Sequence, residues 1–267
     1  MKTILIPVDF SNTSLNALQY AFFLAQNMSF NLECLHAYKK KNALNGNSTS
    51  ESAILERLEK HIKKAKPETF QNKVIPHAFN GELVKGVASV SNKTKPELLV
   101  MGTKGVRGLK KILVGSNTTE VMASTDLTLL IVPESFRLND IKFIMWASDL
   151  KPVNNKGALQ LLISLAKRFD SEIRIVHVKT SDKKGSCEKH WEMQQESQLL
   201  DDIKHSFKKI RRSTVSKGIT YYLNLKKDND LLVLVRREYN FLDSLFRKDR
   251  THGFACNPEI PIMVIHE

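Results

Sequence analysis

The strongest constraint on the fold is that the chain repeats itself. Lys142-Phe143-Ile144-Met145-Trp146-Ala147-Ser148-Asp149 repeats Lys2 to Asp9 at a constant offset of 140. His177 lies in Ile173–Val178 as His36 lies in Leu32–Ala37. Leu231–Val235 and Ile260–Ile265 match Leu98–Gly102 and Leu127–Val132, both at offset 133. At 267 residues the chain has room for two domains. The repeat predicts two tandem copies of one domain, residues 1–136 and 140–267, with the boundary in the polar stretch Pro133 to Asn139.

Within the first copy, apolar strands alternate with amphipathic helices. Thr3–Val8 is an apolar strand that runs into Asp9, and Ser11 then caps a helix over about Asn12 to Asn27. Leu15, Leu18, Phe22 and Ala25 recur at helical spacing and give that helix one face for the sheet. Strands are expected at Phe30–Ala37, Val74–Ala78, Leu98–Gly102 and Leu127–Val132, with helices at Glu51–Lys66, Gly81–Asn92 and from Ser116. Five strands joined by helical crossovers predict a doubly wound parallel sheet of the α/β class.

The densest chemical signal lies at residues 98–116. Leu98-Leu99-Val100-Met101 is a buried-strand pattern that opens at Gly102-Thr103-Lys104-Gly105 and, nine residues later, reaches Gly115-Ser116-Asn117. Glycines allow backbone N–H groups to turn toward an anion, and a helix N-terminus adds unpaired donors and partial positive charge. Lys104 and Arg107 add full charges. Strand, glycine loop and helix start form a phosphate cradle. The spacing is neither a Walker loop nor the dinucleotide Gly-x-Gly-x-x-Gly. Asp9 stands at the carboxyl end of the first strand, where open α/β sheets bind ligands.

The Gly-x2-Gly-x9-Gly-Ser spacing after an apolar strand, together with the Asp-ended first strand, resembles the ATP-binding signature of the universal stress protein family. The resemblance spans nearly the whole chain and is strong in the first half. It implies an adenine nucleotide alpha hydrolase-like fold in both copies and an ATP-binding regulatory role in stress response. Pro7, Val8 and Asp9 would meet the adenosine end, with Ala37 and Met101 beside the base and ribose. Gly102, Lys104, Gly105, Arg107, Gly115, Ser116 and Asn117 would hold the phosphates, with Mg2+ bound through them. It also implies pairing of the two copies through their last strands, and association into a homodimer remains open. Efficient hydrolysis needs a positioned water and a base or added cation at the γ-phosphate. Asp9 lies at the other end of the nucleotide, so the sequence supports at most slow turnover. A slow ATP hydrolase and a nucleotide-independent scaffold are the alternatives.

The second copy departs from this pattern. At offset 133, Gly102, Gly105, Gly115 and Ser116 become Val235, Glu238, Lys248 and Asp249. Positive φ angles would be costly for the replacements, and the carboxylates would repel a triphosphate, so this copy is expected not to bind ATP although Asp149 survives. The stretch Thr220 to Leu231 is about half as long as Val74 to Leu98, which predicts a lost helix, a lost edge strand or a changed role for Tyr221-Tyr222-Leu223. A long helix over about Trp191 to Lys217, basic at Lys204, Lys208, Lys209, Arg211 and Arg212, would compensate.

Composition narrows the remaining classes. The net charge of +13 divides almost evenly, +6 for residues 1–140 and +7 for the rest. Charge so distributed, without a helix-turn-helix, zinc finger or aromatic RNA motif, argues against nucleic acid as the main partner. Cys34, Cys187 and Cys256 are too widely spaced for a metal motif or a disulfide framework. His36 and His177 occupy equivalent strand positions and are expected in the core or the ligand pocket rather than on a metal. No signal peptide or membrane-length apolar stretch is evident, so a cytoplasmic location is expected.

Overall fold

Strand β1 (Thr3–Pro7) is buried from its first residue and pairs in parallel with β2 (Asn31–Tyr38) on one side and β4 (Leu98–Thr103) on the other. In the computed structural model these strands belong to the first of two compact units, which divide near residue 138. The structure describes residues 2–39, 50–103, 116–137, 140–180, 200–237 and 259–267.

In the first unit, β3 (Val74–Asn80) and β5 (Leu129–Pro133) complete a parallel sheet in the order β3-β2-β1-β4-β5. Helices α1 (Asn12–Met28), α2 (Glu51–Ala65), α3 (Leu83–Thr94) and α4 (Ser116–Ser124) supply the crossovers. Helix α1 forms where Ser11 Oγ accepts from the Ser14 N–H, and it ends at Ser29 in the left-handed conformation, φ 55°. It buries Leu18, Phe22 and Ala25, three of the four residues of the expected face. The strand order reverses between β1 and β4, so ligand-binding geometry is expected at the carboxyl ends of those two strands.

The second unit repeats the plan: β6 (Phe143–Ala147), β7 (Glu172–Lys179), β8 (His205–Arg211), β9 (Leu231–Arg236) and β10 (Ile262–His266), in the order β8-β7-β6-β9-β10. Every strand pair defined within this unit is parallel, and every strand has the length of its counterpart in the first. Helices α5 (Lys156–Phe169) and α6 (Val215–Leu225) are the described crossovers. The chain therefore has two tandem doubly wound parallel domains.

Two sequence expectations fail here. His205–Arg211 is strand β8, paired in register with Ile173–Lys179 of β7, so a helix from Trp191 to Lys217 does not exist as one element. Residues 191–199 lie outside the described residues. The strand is hard to read because Ile210 is its only buried residue. A solvated sheet edge rich in Lys and Arg blocks edge-to-edge aggregation and, in sequence, looks like a charged helix face. The place of the shortening is also different. Tyr221-Tyr222-Leu223 belongs to α6, the counterpart of α3, and the stretch between β8 and β9 is complete. What is shorter is the β7–β8 connection, residues 180–204, about ten residues less than 39–73 in the first unit.

Candidate functional site

At the carboxyl ends of β1 and β4 the first unit forms a polar cleft. Pro7, Val8, Asp9, Ala37, Met101, Gly102 and Asn117 all line it. Ser116 begins α4 next to Asn117, whereas Lys104, Gly105, Arg107 and Gly115 lie outside the described residues. The structure adds Ser11, Thr13 and Ser14 from the start of α1, His36 from β2, Leu83 from the start of α3, and Thr118 from α4. Three helix N-termini thus open on one cleft, each with backbone donors lacking intrahelical partners. That arrangement is chemistry for an anion.

Asp9 is fixed before any ligand arrives. Its Oδ1 accepts from the Ser11 N–H at 2.9 Å and the Ser11 hydroxyl at 2.5 Å. Partial burial pushes the Asp9 carboxyl up, but the Ser11 donors outweigh it and hold the group below its ordinary value. Phe10, the next residue, takes φ 64°, a left-handed conformation that is unusual for a large side chain. Its ring lies 4.3 Å from the His36 ring and 5.4 Å from His61, under the Arg57 guanidinium at 4.1 Å.

The two strand histidines share one geometry. His36 Nδ1 is 2.6 Å from the Val8 carbonyl oxygen, and His177 Nδ1 is 3.0 Å from the Ser148 carbonyl oxygen. A carbonyl only accepts, so Nδ1 carries the proton, and in the neutral ring Nε2 is an acceptor. Both rings line clefts, His36 in the first unit and His177 in the second. Sequence equivalence pointed to a shared niche; it could not reveal the tautomer.

Gly102 is required for space. A Cβ there would sit 2.6 Å from the Thr13 carbonyl oxygen and 2.9 Å from Thr13 Cγ2, inside the first turn of α1. Among the described residues the glycine with positive φ is Gly81, so the expected cost of positive φ does not apply to the Gly102 position. The second unit carries Val235 there and solves the packing differently. Helix α5 has 14 residues against 17 in α1 and starts about one turn later, after the N-cap Asn155. The side chains of Asn16, in the second turn of α1, and Asn155 donate to equivalent carbonyls at the ends of β5 and β10, Pro133 and His266. The turn that would collide with Val235 is absent.

The second cleft differs accordingly. Asp149 keeps the place of Asp9, but Arg237 reaches it, with Nε 3.0 Å from Asp149 Oδ2. The same guanidinium donates to Glu267 Oε2 at 2.6 Å and to the Lys151 carbonyl at 2.8 Å. The negative charges foreseen at Glu238 and Asp249, like Lys248, fall outside the described residues. Val235 and the Arg237 tether are what distinguish this site in the structure.

A sequence model of the universal stress protein family matches residues 1–133. A universal stress protein from Methanocaldococcus jannaschii is 26% identical over 138 residues, covering 49% of this chain and 81% of that protein. A universal stress protein from Thermus aquaticus is 27% identical over 135 residues, covering 49% of this chain and 98% of that protein. The fold of the whole chain is similar to a universal stress protein crystal structure from Archaeoglobus fulgidus, with TM-score 0.69, 16% identity, and 99% and 98% of the two chains covered. Through its first domain, the chain belongs to the universal stress protein family.

Proposed function

We propose that the first domain binds ATP and that the protein acts as a nucleotide-dependent regulator in stress response. The observation that carries this reading is the convergence of Asp9, Gly102 and three helix N-termini on one cleft at the strand-order reversal. The residues fit the ligand. Asp9 would accept from the adenosine end, Ala37 and Met101 would flank the base and ribose, and His36 Nε2 offers an acceptor beside them. Asn117, Thr118 and the α4 N-terminus would donate to phosphate oxygens, with a divalent cation carried on the phosphates. Glycine at 102 lets the end of β4 lie against the first turn of α1, keeping that helix start at the cleft. The signal would be a population shift between nucleotide-bound and free forms, set by their different affinities for a partner.

A cytoplasmic setting is part of this proposal and rests on the cysteine usage of the sequence; the described cysteine, Cys34, is a buried free thiol. Among the described residues, no helix is long and apolar enough to cross a membrane.

The test is Asp9→Asn, which keeps the side chain's shape and removes its charge. A hydrogen bond to a charged group contributes about 1.5–3 kcal/mol, so ATP affinity should fall about tenfold or more. Unchanged affinity, measured by calorimetry with magnesium present, would remove Asp9 from the site.

A further inference from the structure

The second domain's cleft is built for a ligand of another kind. It holds about 250 Å3 against about 120 Å3 in the first domain. Its wall is aliphatic: Ala147 from β6, Val176 and Val178 from β7, Val215 from the start of α6, and Val235 from β9. The first cleft presents the hydroxyls of Ser11, Thr13, Ser14 and Thr118 instead. A 150 Å3 apolar cavity takes up benzene, so this space suits a molecule of about two fused rings.

Its charges are already matched. Arg237 is shared between the Asp149 and Glu267 carboxylates, and the Lys151 carbonyl takes a third guanidinium contact. Glu267 is held in turn by the Asn154 N–H at 2.7 Å and its amide at 3.0 Å. A phosphate or carboxylate entering here would compete with two fixed carboxylates for one guanidinium, at a mostly apolar wall. Lys151 also lines the cleft; counted with Arg237, Asp149 and Glu267, the last of which holds Arg237 without itself lining the cleft, the four side-chain charges sum to zero. Of the uncharged polar side chains in the lining, Ser148 Oγ accepts from the Leu150 N–H, and His177 donates its Nδ1–H to the Ser148 carbonyl, so that in the neutral ring Nε2 is an acceptor for a ligand.

We propose that the second domain binds an uncharged, largely apolar molecule of about bicyclic size, oriented by one hydrogen-bond donor to His177 Nε2. This inference does not depend on ATP binding by the first domain. The tandem protein would then read two chemistries, an anionic nucleotide in one domain and a neutral aromatic or heterocyclic compound in the other.

Three probes of nearly equal size test it on the full chain by fluorescence or calorimetric titration. The first, 2-naphthol, has the shape and the donor and should bind at about one equivalent per chain. The second, 2-methoxynaphthalene, lacks the donor and should bind about fivefold more weakly, the worth of one neutral hydrogen bond. The third, 2-naphthoate, carries a charge and should bind at least tenfold more weakly. Val215→Trp fills the cleft from its rim and should abolish naphthol binding. His177→Phe keeps the apolar shape and should erase the preference for naphthol over its methyl ether. Asp9→Asn should change none of these values, and excess ATP with magnesium should not displace the probe. Absence of saturable naphthol binding, equal affinity for naphthoate, or binding indifferent to both Val215→Trp and His177→Phe would overturn the proposal. Competitive displacement by ATP would overturn it too, by placing nucleotide and probe in one site.

Discussion

Gly102→Val would install in the first domain the residue that the second domain carries at the same place. The new Cβ would lie 2.6 Å from the Thr13 carbonyl oxygen and 2.9 Å from Thr13 Cγ2. Ordinary contact begins near 3.4 Å, so β4 and the start of α1 must separate by close to an ångström. The obstacle is backbone, and no rotamer change relieves it. Overpacking in a close-packed region costs about 1–3 kcal/mol, and an obstacle of this kind belongs at the upper end. The alternative relief is unwinding the first turn of α1, as the second domain has done, which forfeits the Ser11 cap at about 1 kcal/mol and the hydrogen bonds of that turn. Either route displaces a helix N-terminus from the cleft. Urea unfolding followed on the first-domain transition should show a loss of about 2–3 kcal/mol, and calorimetry should show ATP affinity down at least tenfold. Stability within about 0.5 kcal/mol of wild type, with ATP affinity unchanged, would refute the close-approach argument.

Other perturbations follow from the same geometry. Burial, reinforced by Lys64 and Arg57 and opposed by Asp9, holds the His61 imidazole below its ordinary value of 6.5. The unfolded chain therefore takes up this proton before the folded one does, so the stability tied to neutral His61 is complete above about pH 6.5 and is lost as pH falls through the folded value. His61→Phe also removes a buried Nε2 without a partner, and its urea midpoint should fall less than that of wild type between pH 7.5 and 5.5. Parallel declines would show that His61 carries none of the acid sensitivity. Asn155→Ala removes the α5 cap, accepted from Ala158 N–H at 3.0 Å, and the bond to the His266 carbonyl. The second-domain transition should lose about 1–2 kcal/mol while ATP affinity stays unchanged.

Much of this architecture was legible in the sequence because the strands that matter are buried and periodic. Lys2–Asp9 and Lys142–Asp149 announced both first strands, and the paired histidines marked equivalent second strands. Spacing marked Asp9 and Gly102, and the family resemblance added Pro7, Val8, Ala37 and Met101, all of which line the cleft. What escaped depended on contacts distant in sequence. Strand β8 takes its conformation from pairing with β7, against a composition that favours a solvated helix. The one-turn retreat of α5 answers to Val235, some 80 residues away, and Pro152 gave no sign of it because proline is well tolerated at a helix start. The Arg237 tether needed three separate strand ends to be brought together: β6, followed by Asp149 and Lys151; β9, followed by Arg237; and β10, followed by Glu267.

The measurement closest to the central claim is a calorimetric titration of the nucleotide-free chain with ATP and magnesium, read for stoichiometry as well as affinity. A first domain with a helix start packed on Gly102, beside a second domain with Val235 and a tethered Arg237, predicts one ATP per chain. Two per chain would contradict the assignment of different ligands to the two clefts. None would leave the first cleft without the ligand on which its proposed function rests.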